Sequence, residues 1–205
     1  WDAGWTQSAE LSAASGHPEG SVPARVSSQE RTLWAIETEV GPRRARVPNT
    51  PIPDGPPAVG DWVIAKPTES SKDPWLISAI LPRRSKFSRK VAGHQEAEQV
   101  IAANVDRVWI LHGLDLPVNP RRIERYLAVT WESGAVPEIV LTKADLAPDA
   151  DEVRRALEPI AKGVSVWLAT TRTGVASGEL EKSLVPGQTV ALLGPSGVGK
   201  SSLVN

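Results

Sequence analysis

A chain of 205 residues with 40% apolar and 23% charged content has the composition of a soluble globular protein, with room for one large or two small domains. Its formal net charge of −1 supplies no overall attraction to nucleic acid, so any such contact must come from a local patch. Cysteine is absent, which excludes disulfides and thiolate metal sites within this span, and no run of about 18 apolar residues exists to cross a membrane as a helix.

The chain starts at Trp1, contains no Met and lacks a basic-then-apolar leader, so we read a cytoplasmic protein with further sequence upstream. Residues 1–20 are Ala/Ser/Gly-rich and read as a tail, with Trp1 and Trp5 spaced to pack on the next domain. Residues 21–82 then carry an all-β pattern. Strands are expected at 25–28, 33–38, 44–48, 60–65 and 75–81, with a stiff Pro-rich loop at 51–57. Five short strands in so short a stretch predict a small OB-fold-like β-barrel, with an SH3-like barrel as the alternative.

Residues 83–98 read as a basic linker. Arg83, Arg84, Lys86, Arg89 and Lys90 surround Phe87, which suits contacts to a phosphate backbone with one ring for stacking. A solvated connection between domains fits the same residues equally well. From residue 99 the pattern changes. Residues 100–106 lead to a buried strand at 108–112. A helix at 119–131 is capped by Asn119, has Pro120 in its first position, and sets Ile123, Tyr126, Leu127 and Thr130 on one face. Next come a strand at 137–141, a helix at 149–160, a strand at 164–168, a helix at 178–184 and a strand at 188–193. Alternating strands and helices predict a parallel, doubly wound sheet that binds its ligand at the strand carboxyl ends, here Thr142, Ala169 and Gly194.

The last of these ends carries the most specific signal. Gly194, Pro195, Ser196, Gly197, Val198, Gly199, Lys200 and Ser201 match G-x-x-x-x-G-K-[ST], after a short apolar strand and before a helix that starts near Ser202. In such a loop the glycines let backbone N–H groups converge on phosphate oxygens, the Lys200 ammonium reaches the β- and γ-phosphates, and the Ser201 hydroxyl holds Mg²⁺. Thr142, Lys143, Ala144 and Asp145 match [N/T]-K-x-D. A carboxylate at Asp145 accepts two hydrogen bonds from guanine N1–H and its exocyclic amino group, a donor pair that adenine lacks. The Lys143 stem can lie over the base with its ammonium toward the phosphate loop. Thr170, Thr171 and Arg172, just ahead of Thr173 and Gly174, occupy the place of a second guanine box that acts through a backbone N–H. An ordinary GTPase presents the phosphate loop first. Here the guanine box precedes it, which is the order of a circular permutant.

From about residue 22 onward the chain resembles the bacterial circularly permuted, ribosome small-subunit-dependent GTPase A family. The resemblance is carried by Gly60-Asp61-Trp62-Val63-Ile64, Leu81-Pro82-Arg83-Arg84-Ser85, Glu98 through Asp106, Arg125-Tyr126-Leu127, Leu141 through Leu146 and Gly197 through Asn205. It implies a barrel followed by a permuted GTPase domain over 99–205, incomplete at its C-terminus, with the switch regions and a zinc-binding domain beyond residue 205. It implies GTP and GDP as ligands with Mg²⁺, and Zn²⁺ only in that later domain. It also implies GTP hydrolysis stimulated by the small ribosomal subunit, a role in late maturation of that subunit, contacts to its rRNA, no membrane partner and a monomer. The catalytic residues are unknown from this span. No general base is nominated, and His112 at a strand end reads as structural, while His94 lies near the same portion. Two other readings compete: a phosphate-loop nucleotide kinase or ATPase, and a non-catalytic rRNA-binding module.

Overall fold

The computed structural model describes residues 19–48, 52, 55–69, 74–90, 98–170 and 178–204. The expected tail with Trp1 and Trp5, and His94, lie outside them. The chain divides into two compact units between Val105 and Asp106.

In the first unit, β1 (Val22–Glu30), β2 (Leu33–Thr38), β3 (Gly41–Arg46), β4 (Trp62–Lys66) and β5 (Trp75–Ile80) close a barrel in the order β1-β2-β3-β5-β4. Every neighbouring pair is antiparallel except β3 with β5. Alternation fills the interior. Ala24, Val26, Trp34, Ile36, Ala45, Val63, Ala65 and Ile77 form its core. The Trp34 indole N–H, buried with them, donates to the Pro57 carbonyl at 2.8 Å. The OB-like expectation therefore holds.

The stretch expected as a linker is instead built onto the barrel. β6 (Lys86–Lys90) pairs antiparallel with β7 (Glu98–Ala103) in a separate two-stranded sheet. A buried polar clasp fastens its base. The fully buried Asp61 carboxylate accepts from the Ala58 N–H at 2.8 Å and from Arg83 through Nε at 2.8 Å and Nη2 at 2.7 Å. Asn104 donates from Nδ2 to the Gly60 carbonyl at 3.0 Å and accepts the Arg84 N–H at 3.0 Å. Ser85 Oγ donates to the Val105 carbonyl at 2.6 Å. Gly60 sits at φ +89°, and a Cβ there would lie 2.1 Å from the Ala103 carbonyl oxygen, so only glycine fits.

The second unit runs β8 (Arg107–Gly113), α1 (Pro120–Ser133), β9 (Val136–Thr142), α2 (Ala150–Ala156), β10 (Val166–Leu168), α3 (Gly178–Lys182), β11 (Val190–Leu193) and α4 (Lys200–Val204). Its strands form one parallel sheet in the order β10-β9-β8-β11. β8 and β9 are buried on both faces, which is why they read as continuous apolar runs rather than alternating ones. Helix α1 starts as expected: the Asn119 side chain accepts the Arg122 N–H, and Pro120 stands at the first position. It runs on to Ser133 because Gly134, in the left-handed conformation, ends it. Ile123, Leu127 and Thr130 are buried on its inner face, whereas Tyr126 is half-buried. Helix α2 stops at Ala156, short of the expected 160, and the chain continues as turns through Pro159, which has no N–H to extend a helix. Among the described residues, no helix is long and apolar enough to cross a membrane.

Candidate functional site

The phosphate loop turns tightly over the end of β8. β11 pairs with β8 through Leu193 opposite Ile110, and Gly194 follows directly at the end of β11. A Cβ at Gly194 would lie 2.9 Å from the Leu111 carbonyl oxygen and 3.0 Å from Val198 Cγ1, so the loop needs glycine to approach this closely. Gly197 and Gly199 have φ of +75° and +101°, a region that L side chains rarely adopt. Between them Val198 is buried in the sheet core with Trp109, Leu111, Val140, Ala169 and Leu180. One apolar residue thus anchors an otherwise glycine-rich turn. Lys200 opens α4, and its ammonium donates to the carbonyls of Gly194 at 2.9 Å and Pro195 at 2.7 Å. Ser196, Ser201 and Ser202 are exposed around it.

The guanine-box residues stand beside this loop. Thr142, the last residue of β9, is fully buried, and its hydroxyl donates to the Val198 carbonyl at 2.6 Å. That bond ties the end of one strand to the phosphate loop on another. Lys143 adopts a left-handed conformation with φ +57°, and one 3-10 turn follows over Ala144–Leu146. The Ala144 N–H donates to the Ala169 carbonyl at 3.1 Å, which brings the end of β10 alongside. Thr170 Oγ1 then donates to Asp145 Oδ1 at 2.9 Å. The Asp145 residue itself is exposed, with its carboxylate oriented by a hydroxyl from the neighbouring strand end. Thr171, Arg172, Thr173 and Gly174 lie outside the described residues.

Lys143 differs from expectation. Its ammonium pairs with Asp115 Oδ2 at 2.7 Å rather than pointing at the phosphate loop. Asp115 comes just after β8, a strand end not among the three expected to border the ligand. The Lys143 ammonium holds the Asp115 carboxyl below the usual carboxylate range. Sequence signal for this residue existed only in its position, since β8 is itself a parallel strand whose carboxyl end borders the site. His112, buried one residue before the end of β8, has its pKa pushed down, first by burial and also by the Arg122 charge. Its Nε2 is buried without a hydrogen-bond partner, which fits a neutral, structural imidazole.

The basic residues of the first unit divide differently. Arg83, expected as a phosphate contact, is engaged in the bidentate pair with buried Asp61 and is a correction to that expectation. Burial of the carboxylate fixes the guanidinium there. Arg84 is exposed, with its backbone held by Asn104. Lys86 pairs with Glu98 at 2.9 Å, and Arg89 Nε donates to Gln99 Oε1 at 3.1 Å. Ser88 and Lys86 together hold the Glu98 carboxyl low. Phe87 is half-buried opposite Ala102, and Lys90 is exposed.

The arrangement sets a glycine-rich loop with a lysine at the carboxyl end of β11 and an exposed carboxylate after the carboxyl end of β9, two parallel strands with β8 between them. Glycines admit the close approach, the lysine supplies positive charge, and Ser201 supplies a hydroxyl of the kind that ligates Mg²⁺ beside phosphates, so the residues present fit a nucleotide with its ion. No group of three or more His, Cys, Asp or Glu able to hold a metal by itself occurs among the described residues.

Comparison with known proteins agrees with this geometry. Residues 80–205 match the family model for the RsgA GTPase. The chain is 40% identical over 191 residues to small ribosomal subunit biogenesis GTPase RsgA 2 of Lactiplantibacillus plantarum, covering 91% of this chain and 53% of that protein. It is 46% identical over 156 residues to the RsgA of Opitutus terrae, covering 73% of this chain and 42% of that one. It therefore spans about half the length of the curated relatives it matches. Among solved structures, YjeQ from Thermotoga maritima superposes with a TM-score of 0.69 at 24% identity over 90% of this chain and 64% of its own. YloQ, described as a circularly permuted GTPase, superposes with a TM-score of 0.66 at 19% identity over 92% and 65%. Both show the same fold.

Proposed function

This chain belongs to the RsgA GTPase family, and we propose that it is the nucleotide-binding half of a GTPase that acts in small-ribosomal-subunit maturation. Lys200 and the loop N–H groups hold the phosphates, Asp145 reads guanine, and the second box at Thr170, Thr171 and Arg172 offers a backbone N–H to the guanine oxygen. Ser201 holds a magnesium ion, which neutralises phosphate charge when bound. The exposed basic residues Arg84, Lys86, Arg89 and Lys90 face rRNA, and the protein acts as a cytoplasmic monomer. The observation that carries the reading is the hydrogen bond from Thr142 to the Val198 carbonyl, which couples the guanine box directly to the phosphate loop. The relatives' names, small ribosomal subunit biogenesis GTPase, support the biological role.

The test is displacement of a fluorescent guanine nucleotide by GDP, ADP and xanthosine diphosphate. GDP should win in the native protein, and xanthosine diphosphate should gain in Asp145→Asn, because xanthine offers a carbonyl where guanine offers an amino group. Equal competition by ADP, with no response to Asp145→Asn, would hand the site to a kinase or ATPase reading.

A further inference from the structure

The loop after β8 carries a charged residue that no nucleotide-binding motif accounts for. Asp115 Oδ2 lies 2.7 Å from Lys143 Nζ, and the two side chains are about a fifth to a third exposed, at 22% for Lys143 and 34% for Asp115. The pair is held from both sides. The Leu114 N–H donates to the Thr142 carbonyl at 2.9 Å, stitching the Asp115 loop to the residue that precedes Lys143. Thr142 is itself bonded to the phosphate loop. Gly113 lies against both side chains. A Cβ there would stand 2.5 Å from Asp115 Oδ1 and 3.6 Å from Lys143 Cδ, so the lysine stem crosses the bare glycine and no larger residue can occupy the position without moving Asp115.

We infer that Asp115 is a positioning residue for nucleotide binding: it anchors the Lys143 ammonium so that the lysine meets the base through its aliphatic stem. The inference rests on the guanine-site reading of the proposed function. An unanchored lysine side chain keeps most of its rotamer freedom and must lose it when a base packs against it. Anchoring removes that cost beforehand, as preorganisation does generally. The anchor also satisfies the ammonium locally, leaving the methylenes as the surface offered to the ring.

The experiment measures GDP dissociation constants in the intact protein for Asp115→Asn, Asp115→Glu, Lys143→Met and the double variant Asp115→Asn/Lys143→Met, with ADP as the control ligand. Asp115→Asn is nearly isosteric, so folding is preserved, and thermal unfolding without nucleotide checks this. The expected result is a loss of about tenfold in GDP affinity for Asp115→Asn, the size of a modest coupling between contacting residues. Asp115→Glu should recover most of that loss. In the Lys143→Met background the Asp115→Asn change should have almost no effect, because the group it anchors is gone. Equal losses in the two backgrounds, or a native-like dissociation constant for Asp115→Asn, would overturn the inference while leaving the site reading intact. If the native protein itself binds ADP as tightly as GDP, the guanine-site reading fails first and this inference fails with it.

Discussion

Replacing Arg83 by Met separates two meanings of the same residue. By composition it belongs to a basic run suited to RNA. By structure its guanidinium is one half of a buried ion pair, with side-chain exposures of 12% for Arg83 and 0% for Asp61. Removing the guanidinium leaves the Asp61 carboxylate buried, with the Ala58 N–H still donating to it. Breaking one side of a buried pair costs about 3–5 kcal/mol, much of it the stranded charge. A domain near 100 residues shifts its Tm by roughly 4–8 °C per kcal/mol, so Arg83→Met should lower the melting of the first unit by at least about 12 °C. Arg83→Lys keeps the charge without the two-pronged geometry and should fall between. The loss should be local first. Native-state hydrogen exchange should accelerate at the amides of Val26, Gly60 and Asp61, whose bonds to the Asp61, Val26 and Ala58 carbonyls define the strap around the clasp. Asp61→Asn paired with Arg83→Met removes the stranded charge and should recover part of the stability. The reasoning is refuted if Arg83→Met melts within about 2 °C of the native protein, or if exchange at those three amides is unchanged.

Thr142 and His112 give two further outcomes. Thr142→Val keeps shape but leaves the buried Val198 carbonyl without its donor, so it should cost about 1–3 kcal/mol by denaturant titration and weaken GDP binding with it; Thr142→Ser keeps the hydroxyl and should retain the affinity. His112 has a lowered folded-state pKa because burial opposes its charged form. Above pH about 6.5 both states carry it neutral, and below that the unfolded chain takes up a proton that the folded imidazole refuses. Stability should therefore fall as pH drops below about 6.5, and His112→Gln should flatten that slope; parallel curves for the two proteins would exclude His112 as its source.

Much of the fold was legible because its signals are local. Alternating residues wrote the barrel strands, and Asn119-Pro120 at one end with Gly134 at the other bounded helix α1. Spacing alone marked Gly194–Ser201 as a candidate phosphate loop, and the order of Thr142–Asp145 before it announced a permuted domain. Local pattern failed where a competing term overrode it: Pro159 shortened helix α2, and strand pairing converted the basic run at Lys86–Lys90 from a linker into β6.

What only the tertiary structure decided is who partners whom. Asp61 meets Arg83 across 22 positions, Asp115 meets Lys143 across 28, and Thr142 meets Val198 across 56. Each pair joins residues whose own neighbours in sequence give no hint of the other. Their meeting depends on which strands lie side by side and in what register, and that is settled by the packing of the whole sheet or barrel rather than by any window of the chain. So the residue types named the chemistry, while the strand order determined that Arg83 stabilises the barrel, that Thr142 braces the phosphate loop, and that Lys143 is held by Asp115.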